Sequence, residues 1–338
     1  MAEVTINGIT VGTAEHVLKL LPVTTMASGL EMTIPVHIVN GAKPGPKLFL
    51  NANSHGDGDT GLEVIRQVLE KVDPKELTGT IIAIPCANPV GFEWYSRNTP
   101  VDANNMNRMF PGRMTGGWFT EQMACVVSSF CKEADALIDW HGGGYGLAIN
   151  YVLINRAPGE LGQKVREMGL AYGFEYMYDG KPAGPAAAYA GTLTDYMLSM
   201  GKPAIVAEVG TGMPVTFDMV GGSVQGVFNV MKHMGMIEGK PILPKTQYLC
   251  TERPLLRPSK GGMFYPMCGP EYLNKWVPKG TVIGIVRNPQ TFEVIDEIVA
   301  PCEETVFLMM RGVMGKVHPG DYAYILANRA NAEVINND

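Results

Sequence analysis

The sequence has no run of basic residues, no CxxC pair and no apolar stretch long enough to span a bilayer. With a net charge of -6, these absences exclude a nucleic-acid binder and a helical membrane protein. The opening MAEVTINGIT lacks the basic start and apolar core of a secretion signal. The six cysteines, at 86, 125, 131, 250, 268 and 302, are scattered, and several sit in apolar surroundings. Reduced thiols in a cytoplasmic protein are the expected reading. Several catalytic signatures are also missing. There is no HExxH, no GxSxG elbow, no Walker A and no GxGxxG.

What is present is ordinary globular material: 338 residues, 46% apolar and 18% charged. LFLNANS, TGTIIAIPCANP, ADALIDW, GLAINYVLIN and KPAIVAEVGTG read as buried strands, and NGAKPGP reads as a turn before the first of them. Leu62, Ile65, Val68 and Leu69 recur at helical spacing, and helices are also expected near 120–133, 160–173, 192–200 and 222–236. A Gly/Pro/Ala loop is expected over 179–191. The alternation predicts an α/β fold, a mostly parallel sheet with helices on both faces, over residues 1–244. Short strands separated by Gly, Pro and charged turns predict a small β-rich domain over 245–338.

Open sheets of this kind place their sites beyond the carboxyl ends of the strands. His55, Asn88, His141 and Glu208 each fall at such an end. Two imidazoles and a carboxylate are a set that binds zinc and leaves it Lewis-acidic, so His55 and His141 are candidate metal ligands. Asp57 and Asp59 both compete for the carboxylate position. For Asp59, capping the following helix weighs equally with ligation. His16, His37, His233 and His318 lack such a setting and read as surface or packing residues. Glu208, inside the apolar run AIVAEVG, is a candidate general base. Asp139, two residues before His141 on a strand, points the same way and is placed to orient it. The long polar loop 91–117 supplies Arg97, Asn107 and Arg108, which suit a substrate carboxylate.

GPKLFLNANSHGDGDTG, NPVGFEWYSRNTPVDANNMNRMFPG, LIDWHGG and GTLTDYMLSMGKPAIVAEVGTG, followed by the β-rich stretch, occur in this order. Together they resemble the succinylglutamate desuccinylase/aspartoacylase family, which belongs with the zinc carboxypeptidases. The resemblance implies a zinc-carboxypeptidase-like fold and one zinc ion. It also implies His55 and His141 as ligands, Asn107 and Arg108 (with Arg97) as substrate contacts, and Glu208 as base. Where the family has HGxE, this chain has His55-Gly-Asp-Gly58, so glycine occupies the position of the family's ligating glutamate. Asp59 one residue on, or Asp57, then replaces it, or the metal is weak or absent.

The expected function is therefore a metal-dependent hydrolase that cleaves the amide of an N-acyl amino acid or similar small N-acyl compound. Arg108 would polarise the carbonyl or, with Arg97 and Asn107, hold the substrate carboxylate. Alternatives are a small carboxypeptidase, a deacylase of an amino-sugar or diamine, and a non-catalytic carboxylate binder. The expected partner is a small molecule with a carboxylate, with no nucleic acid and no membrane, and a homo-oligomer is left open.

Overall fold

The computed structural model describes residues 3–144, 146–155, 157–180, 190–211, 215 and 217–337. Most of the Gly/Pro/Ala segment expected over 179–191 lies outside them. A small hairpin, β1 (Val4–Ile6) and β2 (Ile9–Val11), precedes the main sheet. Then come β3 (Glu15–Thr25), β4 (Glu31–Asn40), β5 (Lys43–Asn51), α1 (Thr60–Lys71), β6 (Thr78–Ile84), α2 (Pro89–Glu93) and α3 (Phe119–Ser129). They are followed by β7 (Ala136–His141), β8 (Leu147–Asn155), α4 (Gly159–Tyr172), β9 (Tyr176–Gly180), α5 (Leu193–Ser199), β10 (Ala204–Thr211) and α6 (Phe217–His233).

The remainder is almost all strand: β11 (Thr246–Cys250), β12 (Leu255–Leu256), β13 (Gly262–Pro266), β14 (Trp276–Pro278), β15 (Val282–Arg287) and β16 (Val294–Val299). After these come β17 (Glu304–Arg311), β18 (Gly315–Val317), β19 (Tyr324–Asn328) and β20 (Glu333–Asn336). No described helix is long and apolar enough to cross a membrane. All six cysteines are free thiols.

The strands of the large sheet run in the order β12-β19-β17-β8-β10-β7-β5-β6-β4-β3. Its centre is parallel, through β6–β5, β5–β7 and β7–β10. Its flanks are antiparallel, through β3–β4, β4–β6, β10–β8 and β8–β17. The sheet is therefore mixed, and its parallel part is the part that carries the site. It also runs without interruption from the α/β stretch into the β-rich one, because β17 pairs with β8 and β11 with β9. A separate four-stranded antiparallel sheet follows the order β16-β15-β13-β18.

Alternation along the strands sends residues to two cores. Leu48, Leu50, Ile138, Trp140, Ile205, Ala207 and Val209 face one side, under α1 and α6. Phe49, Ile82, Leu137 and Ala204 face the other, under α3 and α5. The α1 stripe of Val64, Ile65 and Val68 is fully buried, contributing about 1.5–3 kcal/mol per side chain. Gly61 lets α1 sit this close, since a Cβ there would lie 2.4 Å from Trp140 Cβ.

Two elements depart from the sequence reading. Lys43–Pro46 is strand rather than turn, joined to β6 through an irregularity between Lys43 and Lys47. Tyr176–Gly180 forms a strand that periodicity does not reveal, because it is only 5 residues long and its buried and partly buried positions do not alternate.

Candidate active site

Asn53, in the left-handed region at φ 56°, bends the chain out of β5 into the turn that holds His55. Gly56 then packs backbone to backbone on Gly91 of α2, where a Cβ would meet the Gly91 carbonyl carbon at 1.9 Å. Asn88 serves this packing and not the chemistry. It caps α2 by accepting from Gly91 N–H at 2.9 Å, and its amide donates to Thr99 Oγ1 at 3.1 Å. His141 ends β7 in register with Glu208 of β10, so the two lie on neighbouring strands and one face.

The imidazoles of His55 and His141 meet with their Nδ1 atoms 3.1 Å apart. Their outer contacts decide which nitrogens carry protons. Asn105 Oδ1 accepts the Asn107 backbone N–H at 3.0 Å, so it is the oxygen that faces His55 Nε2 at 2.9 Å. His55 therefore donates from Nε2. His141 Nε2 lies 3.1 Å from Asp139 Oδ2 and 3.0 Å from the Asn107 amide nitrogen, whose oxygen is taken by Leu193 N–H at 3.1 Å. The carboxylate is the stronger partner, so the Nε2 proton goes to Asp139. Asn51 Nδ2 in turn donates to Asp139 Oδ1 at 2.8 Å.

Both inward Nδ1 atoms thus present lone pairs to each other. Two such acceptors at this spacing repel unless a cation or a proton lies between them. Burial, with Arg97 and His141 adding to it, pushes the pKa of His55 well below the ordinary value. Burial would also keep His141 neutral, but the Asp139 carboxylate outweighs it and raises the His141 pKa. Imidazoles whose outer nitrogens are held by carboxylate and amide oxygen, and whose inner nitrogens face each other, are a donor set that suits zinc. The two histidines fit such an ion.

The carboxylate partner is not assembled with them. Among the described residues no three His, Cys, Asp or Glu side chains converge as a ligand set. Asp57 is the acid nearer the pair in electrostatic terms. Burial raises its pKa, and Arg97 and His141 oppose that. Asp59 occupies the cap position of α1 but makes no side-chain cap bond, and its buried Oδ1 has no partner among the described residues. Burial raises its pKa too, against the pull of Asn53 and with a push from Asp57. Gly58 itself lies over Gly142, whose nitrogen would sit 3.3 Å from a Cβ at 58.

Arg97 comes within 3.3 Å of His55 Nδ1. Arg108 ends a single 3-10 turn, Met106–Arg108, and donates to the Asn107 carbonyl. The Asn107 amide is held between His141 and Leu193 and carries this turn to the site. Burial raises the pKa of Glu208, against the attraction of His141, Arg253 and Arg97. No hydrogen bond from another described residue reaches its carboxylate, so it is available to a water or a substrate. Asn105, Tyr151 and Arg253 are neighbours of the site that the sequence reading does not name. Asn105 sits in the same polar loop as Asn107, a signal that the run Asn104-Asn105-Met-Asn107 carried. Tyr151 becomes a neighbour of Glu208 through strand pairing, and Arg253 through its hydrogen bond to Tyr151.

Comparison with known proteins identifies the family and the fold. The family model of the succinylglutamate desuccinylase/aspartoacylase catalytic domain matches residues 44–234. The chain is 26% identical over 247 residues to the N-alpha-acetyl-L-2,4-diaminobutyric acid deacetylase of Halomonas elongata, covering 71% of this chain and 70% of that protein. Among solved structures, a succinylglutamate desuccinylase/aspartoacylase from Rhodobacter sphaeroides superposes with a TM-score of 0.81 at 21% identity, covering 93% of this chain and 96% of that one. The product-bound ectoine utilization protein EutE (DoeB) of Ruegeria pomeroyi superposes with a TM-score of 0.81 at 22% identity, covering 93% and 94%.

Proposed function

The chain belongs to the succinylglutamate desuccinylase/aspartoacylase family, and on that premise we propose that it is a cytoplasmic, zinc-dependent deacylase that hydrolyses the amide of a small N-acyl amino acid or related N-acyl compound. The observation that carries this reading is the pair of Nδ1 atoms facing each other at 3.1 Å, with Glu208 on the adjoining strand. Zinc held by His55 and His141 would supply Lewis acidity toward water and the amide carbonyl. Asp57 is the carboxylate best placed to join them, and Asp59 is the second candidate.

This chain's residues do the rest. Asp139 and Asn105 hold the two rings with their lone pairs inward. Glu208 takes a proton from water and returns it to the leaving nitrogen, a task that suits a carboxylate whose pKa is raised by burial. Arg108 polarises the carbonyl, and Arg97 stands beside it at the histidine pair. Asn107 positions Arg108.

Hydrolysis of a panel of N-acetyl amino acids, with zinc supplied, tests the reading. Glu208→Gln is expected to lower kcat by about 10²–10⁴-fold. Absence of turnover by the wild type on every member of the panel would overturn it.

Gly58 favours one second reading, a carboxylate binder that no longer hydrolyses. That protein would keep its ligand affinity in Glu208→Gln and have no activity to lose.

A further inference from the structure

Glu208 has a histidine on one side and an aromatic–cationic group on the other. Its register partner on β7 is His141, and its register partner on β8 is Tyr151. Tyr151 is fully buried, and its hydroxyl accepts from Arg253 Nη1 at 2.9 Å. The Arg253 guanidinium also lies over the Tyr178 ring, 4.7 Å from its centroid. Arg253 follows β11, which pairs with β9, so the β-rich stretch delivers this cation to the face that carries the site. The guanidinium is only partly exposed, and among the described residues it forms no ion pair, although the Glu208 carboxylate attracts it from beyond ion-pair distance. A guanidinium fixed by one hydrogen bond and one ring still has donors in a planar fork, the geometry that receives a carboxylate. Cations desolvated to this extent are ordinarily paired.

We propose that Arg253, held by Tyr151 and Tyr178, is an anion subsite for a substrate carboxylate on the side of the scissile bond remote from the histidine pair. The assignment rests on the deacylase reading for the position of the scissile bond. It gives the two cationic groups separate tasks. Arg97 and Arg108 lie at the histidine end, where the carbonyl reacts, and Arg253 lies across Glu208 from them. A linear N-acyl amino acid spans that arrangement with its amide over Glu208 and its carboxylate on Arg253. Neutral N-acyl amides gain nothing from the far end, so the subsite selects acids.

The test compares each N-acetyl amino acid in a panel with its α-carboxamide, in both turnover and calorimetric binding, for wild type, Arg253→Met and Arg253→Lys. Arg253→Met is expected to raise KM and weaken binding of the acids about 10- to 100-fold and to leave KM and binding of the carboxamides within about twofold, with Arg253→Lys in between. Equal losses for acid and carboxamide, or a loss confined to kcat, would overturn the subsite and make Arg253 a structural neighbour of Glu208. Tyr151→Phe keeps the ring and removes only the hydroxyl, and a smaller acid-selective loss is expected. If Arg253→Met fails to fold, this variant carries the test. Binding of acids without turnover would leave the subsite standing and overturn the deacylase reading. No binding of any acid by the wild type would overturn the subsite.

Discussion

His16 and His37 meet at 3.0 Å, Nε2 to Nδ1, with ring centroids 5.2 Å apart. His55 and His141 meet at 3.1 Å, Nδ1 to Nδ1, with centroids 4.9 Å apart. The spacing is nearly the same and the chemistry differs. The first pair lies on β3 and β4, where it lines a cleft of about 480 Å³ together with Leu62, Ile65 and Cys86. It joins one donor to one acceptor, and among the described residues neither ring is held by anything further. In the second pair Asn105 and Asp139 take both outer protons, which forces two lone pairs together. Contact between imidazoles alone therefore does not mark a metal site, and what sets the two pairs apart is the residues behind the rings.

The largest expected effect breaks the functional pair. His141→Ala removes one of the opposed lone pairs, and zinc-dependent hydrolysis should fall by about 10³-fold or more, read as kcat/KM on N-acetyl amino acids. Asp139→Asn keeps the shape and removes the charge behind His141. Zinc affinity should drop about 10–100-fold by competition against a chelator of known strength. An unchanged affinity would show that the ring holds its tautomer without the carboxylate.

Gly58→Glu restores the family's ligand position. Its Cβ needs the Gly142 nitrogen, 3.3 Å away, to give by a few tenths of an ångström. Zinc affinity is expected to rise about tenfold, and a fall would mean that an aspartate already fills the role. The smallest effect comes from the control pair. His16→Gln with His37→Gln should leave hydrolysis within about twofold and stability at pH 8 within about 0.5 kcal/mol.

The control pair also has a pH signature. Burial lowers the pKa of both His16 and His37, and His16 lowers that of His37 further. The unfolded chain then binds protons near pH 6.5 that the folded chain refuses. Their contribution to stability is present above that pH and is lost as pH falls through the depressed folded values. The double variant should lose less stability than wild type between pH 7 and pH 5 in urea titrations. An identical pH profile would contradict the assignment.

Much of the fold is legible in the chain. LFLN, TIIAI, ALIDW and AIVAEV are continuous apolar runs because their strands are buried on both faces. The strand over Lys43–Pro46 reads as a turn because Pro44, Gly45 and Pro46 are turn formers, and only its partner β6 makes it extended. The same division holds at the site. His55, His141 and Glu208 are visible because a polar residue that ends an apolar run is unusual. Tyr151 is invisible because an aromatic inside GLAINYVLIN reads as core. Arg253 is invisible because TERPLL reads as a charged turn. Both acquire their setting from contacts between segments distant in the chain, 102 residues apart for Arg253 and Tyr151, which local pattern does not report. The carboxylate is a different kind of gap. Gly58 removes the family's signal, and the two aspartates beside it compete in both sequence and structure.

The central claim is that His55 and His141 turn their lone pairs on one cation. Calorimetric titration of zinc into metal-free protein tests it directly, with wild type, His55→Ala, His141→Ala and the His16/His37 double variant side by side. The account predicts about one zinc per chain in the wild type and in the double variant, and none of comparable affinity in either single variant. Zinc that survives loss of His141, or that disappears with His16 and His37, would contradict it.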